Sequence, residues 1–121
     1  MSHRILIVDD EPNIVVSLEY LMKKEGFEIA VATDGESALR LASEFVPDLV
    51  LLDIMMPKKS GFEVCEALRA DPALAAVKIV MLTAKGRETE VAKGLALGAD
   101  AYITKPFSTK ELVVRIKALL A

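Results

Sequence analysis

The chain has 121 residues, of which 53% are hydrophobic and 27% charged, and its net charge at pH 7 is −3. This length indicates one domain that buries a sizeable core, and no apolar run approaches the ~18 residues needed to span a bilayer. The single Cys65, the absence of a signal-peptide pattern and the acidic balance predict a cytoplasmic protein that binds neither membranes nor, through this domain, nucleic acid.

Short apolar strands and amphipathic helices alternate along the whole sequence. Five strands are predicted, at residues 5–8, 28–32, 49–53, 77–82 and 101–104. Each precedes a helix, and the five helices are predicted to begin near Pro12, Asp34, Ser60, Arg87 and Ser108. The fourth helix is the weakest of them, because Gly94 lies in its interior. Gly98 then ends it.

This alternation predicts right-handed βαβ units and a parallel sheet that is covered by helices on both faces. The first, third and fourth strands are the most apolar and should be interior, whereas the second and fifth should be edges. The order 2-1-3-4-5 satisfies both conditions. We therefore predict one domain over residues 1–121 with an α/β, flavodoxin-like (βα)5 doubly wound fold, whose ligand lies between strands 1 and 3.

Chemically active side chains follow four of the predicted strands: Asp9 and Asp10, Asp53, Thr83, and Lys105. Three neighbouring carboxylates repel one another unless they share a cation, and oxygen donors in an open site suit Mg²⁺. Asp53 could then act as a nucleophile that accepts a phosphoryl group. Each residue alone also has an ordinary explanation, such as helix capping by an aspartate or solvation of a loop lysine. The occurrence of all of them together at strand ends is what favours a site.

In these motifs the chain resembles the receiver domain of two-component response regulators, of the CheY-like superfamily. The resemblance covers essentially all 121 residues. It depends on four segments: Val8-Asp9-Asp10-Glu11; Leu51-Leu52-Asp53-Ile54-Met55-Met56-Pro57 with Gly61; Leu82-Thr83-Ala84; and Gly98-Ala99-Asp100-Ala101-Tyr102 through Lys105-Pro106-Phe107.

The resemblance implies a metal-assisted phosphorylation site. Asp53 would be the phosphoacceptor, and Asp10 and Asp53 would bind Mg²⁺ together with the backbone carbonyl of Met55. Asp9 would hold a water molecule on the metal. The bacterial family uses this chemistry in phosphorelay signalling.

The resemblance also implies a switch. Thr83 and Lys105 would contact phosphoryl oxygens, and the Lys105-Pro106 peptide bond would be cis. The phosphoryl group adds about −1.5 to −2 charges. Thr83 would move toward it and Tyr102 would rotate into the vacated space, which would change the surface of helix 4, strand 5 and helix 5.

By the same resemblance the domain is a phosphoacceptor that assists its own phosphorylation and dephosphorylation, not an enzyme. The phosphoryl donor would be a sensor histidine kinase or a phosphotransfer protein. The recipient of the signal would be a downstream protein or an output domain missing from these 121 residues. Met55 and Lys85 match positions that vary within the family and affect the lifetime of the phosphoryl group.

The family-type dimer uses charged residues on the face formed by helix 4, strand 5 and helix 5. Glu111 and Arg115 match this pattern, but Val91 and Ala101 replace a basic and an acidic residue of the pairing face. We therefore expect a monomer or a weak phosphorylation-dependent dimer.

Three alternatives remain open. A receiver-like scaffold that is never phosphorylated would keep the fold without the chemistry. An aspartyl phosphatase of the haloacid-dehalogenase type needs a second acid two residues after Asp53, where Met55 stands. A flavin-binding domain needs a hydroxyl- and glycine-rich loop after strand 1, whereas Asp9-Asp10-Glu11 repels phosphate.

Overall fold

The computed structural model of the chain describes residues 3–56, 58–84 and 88–121, so Pro57, Lys85 and the predicted helix start at Arg87 lie outside it. Within these ranges five strands alternate with five helices. The elements are β1 Arg4–Val8, α1 Pro12–Lys24, β2 Glu28–Ala32, α2 Gly35–Phe45, β3 Leu49–Asp53, α3 Gly61–Ala70, β4 Lys78–Ala84, α4 Glu88–Ala96, β5 Ala101–Lys105 and α5 Thr109–Leu120.

The five described strands form one parallel sheet in the order β2-β1-β3-β4-β5. This confirms the predicted α/β doubly wound fold and its strand order. The register places Val8 opposite Leu52 and Ala84 opposite Lys105. The carboxyl ends of β1, β3, β4 and β5 therefore meet along one edge of the sheet.

The sheet is covered on both faces, which explains why its central strands are continuously apolar. Alternate residues of a strand point to opposite faces. On one face Leu6, Val50 and Ile79 pack with side chains of α2 and α3, and on the other Leu51 and Val80 pack with side chains of α1 and α5. These core strands therefore hold the residues that follow them in fixed positions.

Polar side chains cap the first turns of α2, α3 and α5, as the sequence predicts, and α1 begins at Pro12. Asp34 accepts a hydrogen bond from the backbone N–H of Ser37 at the start of α2, and Ser60 and Glu63 form a reciprocal capping box at α3. Ser108 accepts a hydrogen bond from the backbone N–H of Glu111 at α5. These bonds fix the residue at which each of these three helices begins.

Two strands extend further than their apolar runs predict. β4 continues through Thr83 to Ala84, and β5 includes Lys105, because Thr83 pairs with Thr104 and Ala84 with Lys105. Backbone pairing with a neighbouring strand, which the apolar pattern of one strand does not report, decides these ends. Thr83 and Lys105 are thus held in the sheet rather than in loops beyond it.

Gly94 has a packing role in addition to its low helix propensity. A Cβ at this position would stand 3.3 Å from Cγ of Met81 and 3.8 Å from Cε1 of Phe62. The glycine therefore lets α4 lie close to β4. Nearby, the Nζ of Lys93 lies 4.5 Å from the centre of the Phe62 ring, a cation–π contact between α4 and α3.

Arg69, near the end of α3, joins three parts of the chain. Its guanidinium donates hydrogen bonds to the carbonyl oxygens of Gly98, Ala75 and Val77, at 2.9, 3.0 and 2.6 Å, and to Oδ2 of Asp100 at 2.8 Å. These bonds tie α3 to the start of β4 and to the turn before β5.

No helix in the described part of the chain has the length and hydropathy required to cross a membrane.

Candidate functional site

Three carboxylates meet where β1 and β3 end. Asp9 is fully buried, Asp53 is 7% exposed and Asp10 is exposed. One oxygen from each lies within 4.8 Å of the others. Neighbouring strands with the same direction bring these residues together, as their positions after two apolar runs predict.

Lys105 reaches across from β5 and places its ammonium among the acids. Its Nζ lies 2.8 Å from Oδ2 of Asp9, 3.3 Å from Oδ1 of Asp53 and 3.2 Å from Oε1 of Glu11. Burial lowers the pKa of Lys105, but the contacts with Asp9, Asp53 and Glu11 outweigh this effect and the pKa is raised. Lys105 therefore stays charged at neutral pH.

Glu11 is a contact of Lys105 that the sequence analysis did not assign to the site. The available signal was its place as the third acidic residue after β1, directly before the proline that opens α1. Its side chain is largely exposed, whereas those of Asp9 and Asp53 are buried. Glu11 thus adds negative charge at the rim of the site.

Asp9 has two different environments at its two oxygens. Oδ1 accepts a hydrogen bond from the backbone N–H of Glu11 at 2.9 Å, so Asp9 also orders the turn before α1. Oδ2 is buried and close to Lys105, yet it accepts no hydrogen bond of regular geometry from the described residues. A buried anionic oxygen with free acceptor capacity suits a bound cation.

Burial, the largest effect, raises the pKa of Asp53 from 3.8 to about 6, and the neighbouring charges of Asp9 and Asp10 raise it as well. The ammonium of Lys105 acts in the opposite direction and only partly compensates. A divalent cation would relieve this repulsion. The acidic group of Asp9, Asp10 and Asp53 therefore has the donor atoms and the excess charge of a metal site, and hard oxygen donors suit Mg²⁺.

A cavity of about 130 Å³ opens beside Asp53. Met55, Thr83 and Lys105 line it, together with Glu11, Glu90 of α4 and other residues at the ends of β3 and β4. The hydroxyl of Thr83 is buried and donates a long hydrogen bond of 3.4 Å to the carbonyl oxygen of Ala84. A stronger acceptor in the cavity, such as an anionic oxygen, would compete for this hydroxyl.

Tyr102 is the predicted site residue that lies apart from the carboxylates. Tyr102 is 39% exposed, and it lines a separate cavity of about 290 Å³ together with residues of β5 and α5. In the sheet Tyr102 pairs with Met81, two residues before Thr83. Tyr102 therefore lies on the strand that pairs with the one carrying Thr83.

The backbone around Asp53 is closely packed. The N–H of Gly61 donates a hydrogen bond of 2.8 Å to the carbonyl of Ile54, and a Cβ on Gly61 would overlap the carbonyl oxygen of Asp53. Glycine is therefore required at position 61 for the loop to close. On β5, the peptide bond between Lys105 and Pro106 is cis, the isomer that the resemblance implies.

The sequence of the chain was also compared with those of known proteins. A family model of the response regulator receiver domain matches residues 5–117. Over 120 residues the chain is 48% identical to the alkaline phosphatase synthesis transcriptional regulatory protein PhoP of Bacillus subtilis, covering 99% of this chain and 49% of that protein. It is 50% identical to the DNA-binding response regulator MtrA of Mycolicibacterium smegmatis, covering 99% of this chain and 51% of that protein.

The chain thus spans about half the length of these two curated relatives. Among solved structures, the chemotaxis response regulator CheY4 of Vibrio cholerae superposes with a TM-score of 0.93 at 29% identity, covering 99% of this chain and 100% of that one. The sheet order, the acidic group with its lysine, and these matches lead to one conclusion. The chain belongs to the response regulator receiver domain family of two-component signal transduction.

Proposed function

We propose that the domain is a phosphorylation-activated switch whose phosphoacceptor is Asp53. The observation that carries this proposal is the position of one raised-pKa carboxylate beside two others, with the Lys105 ammonium 3.3 Å away and an open cavity in front of it. The phosphoryl donor is a phosphohistidine of a sensor histidine kinase or of a phosphotransfer protein, and the reaction takes place in the cytoplasm.

The transfer needs a nucleophile and a counter-charge for the phosphoryl oxygens. An oxygen of the Asp53 carboxylate attacks phosphorus, the phosphorus–nitrogen bond of the phosphohistidine breaks, and the released imidazole takes up a proton from solvent. Lys105 exchanges part of its contact with the carboxylates for a phosphoryl oxygen. Thr83 donates its hydroxyl to another oxygen in place of the long bond to Ala84.

Mg²⁺ is the proposed cofactor. Asp10 and Asp53 would hold it together with the backbone carbonyl of Met55, and Asp9 would bind it through water. Bound there, Mg²⁺ offsets the negative charge of the acids and of the incoming phosphoryl group. The buried carboxylate of Asp9 and the raised pKa of Asp53 support this assignment.

The domain is proposed to be a phosphoacceptor that promotes its own phosphorylation and dephosphorylation, not an enzyme acting on a separate substrate. The second acid that an aspartyl phosphatase needs two residues after the nucleophile is replaced by Met55, a residue that is 65% exposed. This residue can shield the phosphoryl group but cannot donate a proton. No observation favours the phosphatase alternative.

Phosphorylation is proposed to act on the surface formed by α4, β5 and α5. Thr83 would move toward the phosphoryl group, and the exposed ring of Tyr102 would turn inward to fill the space beside it. Such a change shifts an existing equilibrium by the difference in stabilisation between the two states. The surface would signal to a downstream protein or to an attached output domain, as a monomer or a weak phosphorylation-dependent dimer.

The direct test is phosphorylation with acetyl phosphate and Mg²⁺, followed by intact-mass measurement. We expect one added phosphoryl group on the native chain and none on Asp53→Asn. Asp71→Asn is the matched control, because Asp71 is a carboxylate at the end of α3, outside the site. It accepts a hydrogen bond from the backbone N–H of Ala73, and an asparagine can accept the same bond. An unmodified native chain, or a phosphorylated Asp53→Asn variant, would refute the assignment.

A further inference from the structure

Residues 54–56 and 58–60, which lie between β3 and α3, include contacts with α2. We call these described residues the phosphoacceptor loop. Gly35, the first residue of α2, is buried against it. A Cβ at position 35 would overlap Cβ of Lys59 and would stand 2.5 Å from the carbonyl oxygen and 2.9 Å from Cα of the same residue.

Glycine is required at position 35 because there is no room for a side chain, not because of its backbone conformation. Gly26 and Gly98 adopt positive φ angles of 87° and 110°, a conformation that side chains rarely adopt, and Gly35 does not. Two of the three close atoms belong to the backbone of Lys59. A side chain at position 35 can therefore be accommodated only by moving the loop or the helix.

A second observation, an electrostatic one, links the same two segments. The carboxylate of Asp34 accepts a hydrogen bond from the backbone N–H of Ser37, which is the main cause of its lowered pKa, and the nearby charge of Lys58 lowers the pKa further. Lys58 has a positive φ of 70° at this point. Consecutive residues at the start of α2 and in the loop are thus linked: the charge of Lys58 acts on Asp34, and Gly35 packs on Lys59.

Gly61, which follows the loop, fits directly under the carbonyl oxygen of Asp53, which precedes it, so the two ends of the loop lie together. In the chain Met55 lies between Asp53 and Lys59, the residue that contacts Gly35. We propose that Gly35 is a positioning residue for the phosphoacceptor loop: by packing against Lys59 it fixes the backbone that carries the carbonyl of Met55 next to Asp53. The link to metal binding rests on the function proposed above.

The size of the expected effect follows from the distances. An ordinary contact of about 3.5 Å is roughly 1 Å longer than the distance from the added Cβ to the carbonyl of Lys59. Residues that support metal ligands typically change metal affinity about 10–100-fold when they are altered. We therefore expect Gly35→Ala to weaken Mg²⁺ binding about tenfold and to slow phosphorylation by acetyl phosphate by a similar factor.

Gly26→Ala is the matched control. It strains a positive φ at the end of α1, and its Cβ would meet no described atom within 4 Å. Both variants are compared by Mg²⁺ titration, by the rate of phosphorylation and by urea unfolding. We expect Gly26→Ala to stay within twofold of the native chain in both functional measurements, whatever its loss of stability. A folded Gly35→Ala within twofold of the native chain, or equal losses in the two variants, would overturn the proposal.

Amide NMR tests the positioning itself, without phosphorylation. In the absence of Mg²⁺, Gly35→Ala should shift the resonance of Met55, and Gly26→Ala should leave it in place. If Gly35→Ala does not fold, Mg²⁺ is titrated into the native chain, where the resonance of Gly35 should move together with that of Gly61. A fixed Met55 resonance in the variant, or a fixed Gly35 resonance in the titration, would overturn the proposal. A native chain that binds no Mg²⁺ would instead refute the proposed function.

Discussion

Replacing Asp53 with asparagine should stabilise the domain in the absence of divalent cations. Asparagine has nearly the same shape as aspartate but carries no charge, so it removes the cost of burying a charge and the repulsion with Asp9 and Asp10. The pKa of Asp53 is raised from 3.8 to about 6. At ~1.36 kcal/mol per pKa unit, the ionised carboxylate costs the folded state about 3 kcal/mol at pH 8.

The sign of the pH dependence follows from this shift. Between pH 4 and pH 6 the folded state binds more protons at Asp53 than the unfolded state does, so its contribution to stability falls as pH rises through this window. The advantage of Asp53→Asn should therefore shrink from about 3 kcal/mol at pH 8 to about 0.5 kcal/mol at pH 4.

Urea unfolding in EDTA, followed by circular dichroism at several pH values, measures this difference. Saturating Mg²⁺ should stabilise the native chain by mass action and reduce the gap to the variant. A variant no more stable than the native chain at pH 8, or an advantage that is the same at pH 4, would refute the electrostatic reasoning.

Two further predictions concern basic residues. Lys105→Met leaves Asp9 and Asp53 without their counter-charge, so the free energy of unfolding in EDTA should fall by about 3 kcal/mol at pH 7. Because the pKa of Lys105 is raised, its stabilising contribution should persist to the alkaline side of neutrality and disappear only as pH rises through that pKa. Unchanged urea unfolding of Lys105→Met would contradict the close ion pairs. Arg69→Met removes four hydrogen bonds and should cost about 3 kcal/mol, whereas the exposed Arg40→Met should change the same measurement by less than about 0.5 kcal/mol.

Much of the fold could be predicted because local and global signals agree. The apolar runs of β1, β3 and β4 must be covered on both faces, so these strands belong in the interior of the sheet. The runs of β2 and β5 are less apolar, so these two strands belong at the edges. Proline and the capping residues then give the helix starts. The acidic group was predictable for the same reason, since Asp9 and Asp53 directly follow two strands that must be neighbours.

Contacts between distant segments were not predictable from periodicity. Thr83 and Lys105 belong to paired strands because of their partners across the sheet, which no local pattern reports. The contact of Glu11 with Lys105 depends on how far one side chain reaches from β5. The glycines show the limit most clearly: Gly94 suggested a weak helix, and only the structure shows the Met81 side chain beneath it.

The sheet order also distributes rigidity within the domain. Asp9 and Asp53 leave central strands whose residues are buried on both faces, whereas Tyr102 and Lys105 belong to a border strand that has one neighbour in the sheet. Border strands open locally more readily than central ones. Asp9 and Asp53 are thus held by backbone that opens less readily than β5, the strand that supplies the Lys105 ammonium.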